Sequence, residues 1–170
     1  MDYNARQANG EIAEQYVVDH FHAKHRVIYK SITDKAHVID LFTMSPINKS
    51  LVGVEVKSQS IWRDAMGHGI PCFSILKRHW DEYFEFMVET NIPLHILVVD
   101  WRGSRTYIAQ FKALTHNDWV KGRDGTLYQY PILQHASTGH NDNEDKMLIP
   151  VSWFMAGWSI SEEIKNKYIN

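Results

Sequence analysis

The sequence predicts an α/β fold in which a mixed central β-sheet is flanked by helices. Two observations carry that expectation. Helical periodicity of apolar residues appears near the N-terminus and again around residue 80, and short runs rich in Val, Ile, Leu and Phe lie between and beyond these segments. Strands interleaved with amphipathic helices have to be packed in layers, with helices covering the sheet.

Taken in order, Asn4 to about His25 repeats Ile12, Ala13, Tyr16, Val17 and Phe21 at three-to-four spacing, which is one apolar face of a helix. Arg26–Ile32, Ala36–Met44 and Leu51–Gln59 are apolar runs separated by turn-prone Thr33-Asp34-Lys35 and Ser45–Ser50. They predict three sequential strands in a meander. Gly67 and Gly69 mark Ile61–Gly69 as a mobile loop, and Ile70–Leu76 is the next strand. Lys77–Thr90 is a second helix with Trp80, Tyr83, Phe84 and Met87 on one side, stopped by Asn91 and Pro93. Leu94–Trp101 and Arg105–Phe111 form a hairpin across Arg102-Gly103-Ser104. Beyond residue 112 the pattern predicts a strand at Leu127–Leu133, a polar loop from His135 to Lys146, an apolar run at Met147–Phe154 and a short helix from Ser161.

At 170 residues the chain is the size of one ordinary domain, and we expect a single domain over 1–170 with a core of about 4–111 and an extension of about 112–170. Its one cysteine, Cys72, sits in an apolar run and is expected to be buried. It allows neither an intramolecular disulfide nor a Cys-based zinc site from this chain, which fits a reducing, intracellular (cytoplasmic) location. No apolar signal core opens the chain, and no stretch approaches the roughly 20 apolar residues that span a bilayer.

The chemistry lies in Val54-Glu55-Val56-Lys57. Strand side chains alternate, so Glu55 and Lys57 share one face and the valines share the other. On the preceding strand Asp40 interrupts the apolar run Val38-Ile39-Asp40-Leu41-Phe42, where an unpaired buried carboxylate would cost several kcal/mol or more. With strands about 4.8 Å apart, Asp40 and Glu55 can approach closely enough to hold one Mg²⁺ or Mn²⁺. Glu-x-Lys alone is weak, since Glu144-Asp-Lys146 and Glu163-Ile-Lys165 repeat it. Those two fall in a polar tract and a helix, where the side chains diverge. The plain alternative for Glu55 and Lys57 is a cross-strand ion pair on a solvated face.

Asp40, fourteen residues, then Glu55-Val56-Lys57-Ser58 resembles the catalytic core of the PD-(D/E)XK nuclease superfamily. Upstream, Gly10-Glu11-Ile12-Ala13-Glu14 is similar to the Gly-x-x-x-Glu helix of the archaeal Holliday-junction resolvase branch, which implies a site role for Glu14 over its neighbour Glu11. The order of elements from residue 4 to about 101 is similar to that family's core. The resemblance implies a restriction-endonuclease-like fold and metal-dependent endonucleolytic cleavage of DNA, of restriction, homing or junction-resolving type. Ile39 stands where the family's motif has its proline, and Gln59 resembles a polar residue that some members place after the lysine.

Phosphodiester hydrolysis needs a cation near the phosphate, and hard oxygen ligands favour Mg²⁺ or Mn²⁺ held by Asp40, Glu55 and the Val56 carbonyl, with Glu14 completing the shell. Lys57 would orient the water and stabilise developing charge. Arg63, Lys77 and Arg78 flank this face as candidate DNA contacts. The net charge of −2 opposes a polyanionic partner, although clustered acidic ligands hide part of any basic patch in that sum. Cutting both strands of DNA favours a homo-oligomer of two-fold symmetry. The other possibilities are a DNA-binding or regulatory module without turnover and an enzyme acting on RNA. His20, His22 and His25 are expected at a solvated or core-edge position, not in a zinc site, because a helix disperses them. His135 and His140 are expected to be loop residues, and the aromatics around Trp80 to belong to the core.

Overall fold

The computed structural model describes residues 3–24, 26, 28–30, 39–45, 47–64, 66–136 and 144–169. Helix α1 (Tyr3–Ala23) precedes strands β1 (Ile28–Lys30), β2 (Leu41–Met44) and β3 (Leu51–Ser58). The three strands pair antiparallel in chain order, with Ile28 opposite Thr43 and Leu41 opposite Val54, which is the expected meander. The expected turn Thr33-Asp34-Lys35 and the strand residues beside it, 31–32 and 36–38, lie outside the described residues, as does His25.

The chain then leaves this sheet. Strand β4 (Cys72–Leu76) runs directly into α2 (Lys77–Thr90), and β5 (Leu94–Asp100) returns alongside β3, parallel to it, with Glu55 level with Ile96. Parallel neighbours cannot be joined by a tight turn, so a crossover through α2 is required. β5 is an almost unbroken apolar run because both of its faces are covered. Leu97 and Val99 join Val54, Val56 and the α1 residues Ala13, Val17 and Phe21. Ile96 and Val98 face the other way, into the cluster that holds Trp80 and Tyr83 of α2.

Asn91 ends α2 in the left-handed conformation (φ 54°), its N–H donating to the Met87 carbonyl at 3.0 Å. Phe84 corrects the expected apolar face of α2: it is 50% exposed, and Phe86 packs against the core instead. A short turn leads to β6 (Arg105–Gln110), antiparallel to β5. Gly103 is required in that turn, since a Cβ there would lie 2.2 Å from an Asp100 carboxylate oxygen.

Next come α3 (Phe111–Leu114), β7 (Asp118–Lys121), β8 (Leu127–Tyr130), β9 (Ile132–Gln134) and β10 (Lys146–Pro150). A single 3₁₀ turn (Val151–Trp153), β11 (Met155–Ser159) and α4 (Glu162–Ile169) complete the chain. The expected strand at Leu127–Leu133 is two strands, divided at Pro131, which has no N–H to give a ladder. β8 pairs with β7, whereas β9 pairs with β10. β7 and β11 were not foreseen, because neither alternates apolar and polar residues over a buried face.

The central sheet has the order β1-β2-β3-β5-β6-β11, and a second sheet has the order β4-β10-β9. Residues beyond 112 thus supply the edge strand of the first sheet and the middle strand of the second. Helix, antiparallel meander, crossover helix and parallel strand follow one another in the expected order, and together they make a mixed sheet flanked by helices. No helix among the described residues is long and apolar enough to cross a membrane.

Candidate active site

The site is built where β3 outruns β2. Their ladder begins at Leu41 and Val54, so Val56 has no partner on that strand. Asp40 takes the partner's place: its carboxylate accepts the Val56 N–H at 2.8 Å. This corrects the expectation that Asp40 lies within a strand, for it occupies a bend immediately before β2. The bend lets a side chain satisfy a main-chain donor that the strand would otherwise leave unpaired.

Glu55 lies on the β3 face turned towards α2 and is only 5% exposed. Its Oε1 accepts two hydrogen bonds, from Lys57 Nζ at 2.6 Å and from the Tyr83 hydroxyl at 2.6 Å. Its Oε2 is buried and has no hydrogen-bond partner. Burial pushes the Glu55 carboxyl up to about 7, against the opposing pull of Lys57. Burial also raises Asp40, to about 6, and the charge of Glu14 adds to that rise while the Val56 N–H and Lys57 oppose it. Tyr83 is raised by burial and by Glu55. His79 is lowered to about 4 by burial and then by the charges of Lys57 and Arg78, so it is neutral at neutral pH.

Asp40, Glu55, Val56, Lys57 and His79 line an open cleft of about 610 Å³ bounded by α1, the end of β3, β4 and the start of α2, with Tyr83 behind Glu55. Four of the predicted residues meet there: Glu14, Asp40, Glu55 and Lys57. Glu11 also lines the cleft but is exposed, and the charge felt by Asp40 is that of Glu14. Gln59 lines it as well, and its amide clasps β4, donating to the Ser74 carbonyl and accepting the Ser74 N–H, both at 3.1 Å.

Of the three predicted basic contacts, Lys77 and Arg78 open α2 between the lining residues Leu76 and His79, and Arg63 lies in the loop after β3. Arg63 is exposed, Lys77 is paired with Asp81 at 2.5 Å, and Arg78 lies 3.4 Å from Glu144. None of them lines the cleft.

His79 and Tyr83, one helical turn apart on α2 with ring centroids 6.2 Å apart, are parts of the site that the sequence reading missed. Helical periodicity places Tyr83 in the core with Trp80. Its ring is in the core, but a buried phenol also needs a partner for its hydroxyl, and that need was the available signal. Of the other histidines, His20 stacks on Trp158 at 3.9 Å and His22 is exposed. His135 pairs with Asp145 at 3.2 Å, an acidic neighbour that its sequence spacing did not reveal, and His140 lies outside the described residues. Cys72 is buried, as expected.

Among the described residues no three Asp, Glu, His or Cys side chains are grouped as a ready cage for a metal ion. The donor set present, two adjoining carboxyls at an open cleft, suits a cation that keeps several waters, as Mg²⁺ does. The unpartnered Glu55 oxygen and the raised carboxyls are the features that a bound cation would relieve.

No family model and no curated protein matches the chain. Among solved structures it is similar to the Hjc Holliday junction resolvase of Archaeoglobus fulgidus, at 7% identity and TM-score 0.46, covering 81% of this chain and 87% of that one. It is similar to a nuclease from a fusselovirus at 11% identity and TM-score 0.45, covering 92% and 88%. A bacterial homing endonuclease is similar at 12% identity and TM-score 0.40, covering 80% and 83%.

Proposed function

We propose that this chain is a divalent-metal-dependent endonuclease that hydrolyses DNA phosphodiester bonds. The observation that carries the proposal is the pair of raised, buried carboxyls at the cleft, one with an oxygen that no protein donor satisfies, beside the ammonium of Lys57. A stable fold does not leave such an oxygen uncompensated without reason. Asp40, the free oxygen of Glu55 and the Val56 carbonyl are the groups that would hold Mg²⁺ or Mn²⁺, with Glu14 bound directly or through water. The ion would neutralise the scissile phosphate and lower the pKa of a bound water.

The chain's own residues do the rest. Lys57, carried on β3 one side chain beyond Glu55, places a positive charge at the cleft to orient the water and offset charge on the phosphate. His79, neutral, can donate a hydrogen bond to a phosphate oxygen without adding charge. Gln59 holds β4 against the end of β3 and so keeps the cleft walls in register. Selectivity for a DNA sequence or structure, and a two-fold assembly that presents two such sites, complete the proposed activity.

The test is a cleavage panel of plasmid, linear and branched DNA, and RNA, with Mg²⁺, Mn²⁺ or EDTA. We expect cleavage of DNA by the wild type, abolished by EDTA and reduced at least ~100-fold by Asp40→Ala or Lys57→Ala. Both variants should still bind DNA. DNA binding with no cleavage of any substrate in Mn²⁺ would instead establish a binding module.

A further inference from the structure

We infer that Tyr83 is a positioning residue that fixes the plane of the Glu55 carboxylate and so aims its unpartnered oxygen at the metal ion; this rests on the metal-dependent reading above. Two donors converge on the same atom, Oε1, from opposite origins: Lys57 on the same strand and Tyr83 on helix α2. Neither reaches Oε2, which stays buried without a partner. A carboxylate's two oxygens are equivalent, so a half-turn changes nothing, but any smaller turn of the group re-aims both of them. The hydroxyl of Tyr83 cannot follow such a rotation, because its ring is 1% exposed and held edge-on by Phe111, with centroids 5.6 Å apart. The phenol therefore acts as a fixed peg against Oε1, and Oε2 is the oxygen left for the ion.

Sharing Oε1 has a second consequence. Lys57 Nζ also sits 5.6 Å from the centroid of the Tyr83 ring. When Lys57 turns towards a phosphate, Oε1 keeps a hydrogen bond from Tyr83. Lys57 can then move without stripping a buried carboxylate of its last donor, a loss that buried polar atoms rarely tolerate. Tyr83 thus lets one lysine serve first Glu55 and then the substrate. Partners behind a metal ligand set its orientation in this way, and their loss weakens metal binding by about 10–100-fold.

The experiment measures Mn²⁺ affinity directly, from the electron paramagnetic resonance of free Mn²⁺, together with cleavage and thermal melting, on the full chain. Tyr83→Phe keeps the ring and removes only the peg. We expect Mn²⁺ binding weakened about 10-fold, with Tm changed little. Glu55→Gln weakens binding further, and adding Tyr83→Phe to it produces no additional loss, since Tyr83 acts only through Glu55. Leu148→Ala, buried in a core cluster separate from that of Tyr83, is the packing control, lowering Tm while leaving Mn²⁺ affinity within about twofold. The inference is overturned if Tyr83→Phe binds Mn²⁺ like the wild type, or if its effect persists undiminished in the Glu55→Gln background. Wild-type protein that binds Mn²⁺ but cleaves no nucleic acid refutes the nuclease proposal alone. Wild-type protein that binds no Mn²⁺ refutes both.

Discussion

Gln59 shows how one side chain can substitute for a strand. At the end of β3 the Gln59 main chain still donates to Val99 of β5, while its side-chain amide presents a donor and an acceptor to the Ser74 peptide of β4. Gln59→Ala should lower stability by about 1–2 kcal/mol, since both hydrogen bonds disappear and Ser74 is half-buried. Denaturant unfolding checks this, and an unchanged midpoint would show that water replaces the amide fully. Asp40 plays a comparable part towards Val56, but its carboxyl is raised to about 6 by burial and by Glu14. Asparagine keeps the accepting oxygen without the charge, so Asp40→Asn isolates the cost of that charge.

At the scale of elements, β11 is the piece that needs explanation, because most of its residues are exposed and it lies at the sheet edge. It pairs with β6, and one hydroxyl bridges the break in that ladder. Thr106 of β6 accepts the Trp158 N–H at 2.9 Å and donates to the Trp158 carbonyl at 3.2 Å, bridging the point where the β6–β11 register shifts. Gly157 admits this contact, because a Cβ there would come within 2.3 Å of the Thr106 hydroxyl. Thr106→Val, nearly the same shape, should cost about 1–3 kcal/mol and abolish hydrogen-exchange protection of the Trp158 amide while leaving that of β5 intact. Full protection of Trp158 in the variant would mean that backbone pairing alone holds the strand. Helix α2 offers a milder case at Asn91, where the left-handed cap should accept glycine at little cost, whereas isoleucine should lose about 1–2 kcal/mol of thermal stability.

For the whole molecule, pH acts on two opposed sets of buried groups. Asp40 and Glu55 are raised above their unfolded values, so the native state binds more protons than the unfolded one between about pH 4 and 7, and they make stability fall as pH rises through that window. His79, His20 and His95 are lowered, chiefly by burial, so they make stability rise as pH climbs towards 6.5. The two sets offset each other, and the wild-type profile is expected to be shallow. The carboxylate part emerges by difference: metal-free Asp40→Asn should gain on the order of 2 kcal/mol over the wild type between pH 4 and pH 8. Added Mg²⁺ should remove that advantage at pH 8 and leave pH 4 unchanged. Parallel melting profiles for the two proteins across the range would rule out a buried ionised Asp40.

Much of this was legible in the sequence, because local patterns record local physics. The amphipathic period of α1, the stop at Asn91, the alternation that puts Glu55 and Lys57 on one face, and the anomaly of an acid among apolar residues all lie within a few residues of one another. Strand-like runs also showed that sheets form, whereas the parallel pairing of β5 with β3 was decided by the fold. What only the tertiary structure decided were the relations between distant segments: β10 pairing with β4, β11 closing the edge on β6, and α2 bringing Tyr83 and His79 to the cleft. Phe84 turned outward for the same reason, since periodicity identifies an apolar face but not how much of it a neighbour will cover. Sequence alone brought the acidic residues and Lys57 forward as candidates, because their anomaly is local; the packing of distant elements added His79 and Tyr83 and left one oxygen of Glu55 buried without a hydrogen-bond partner.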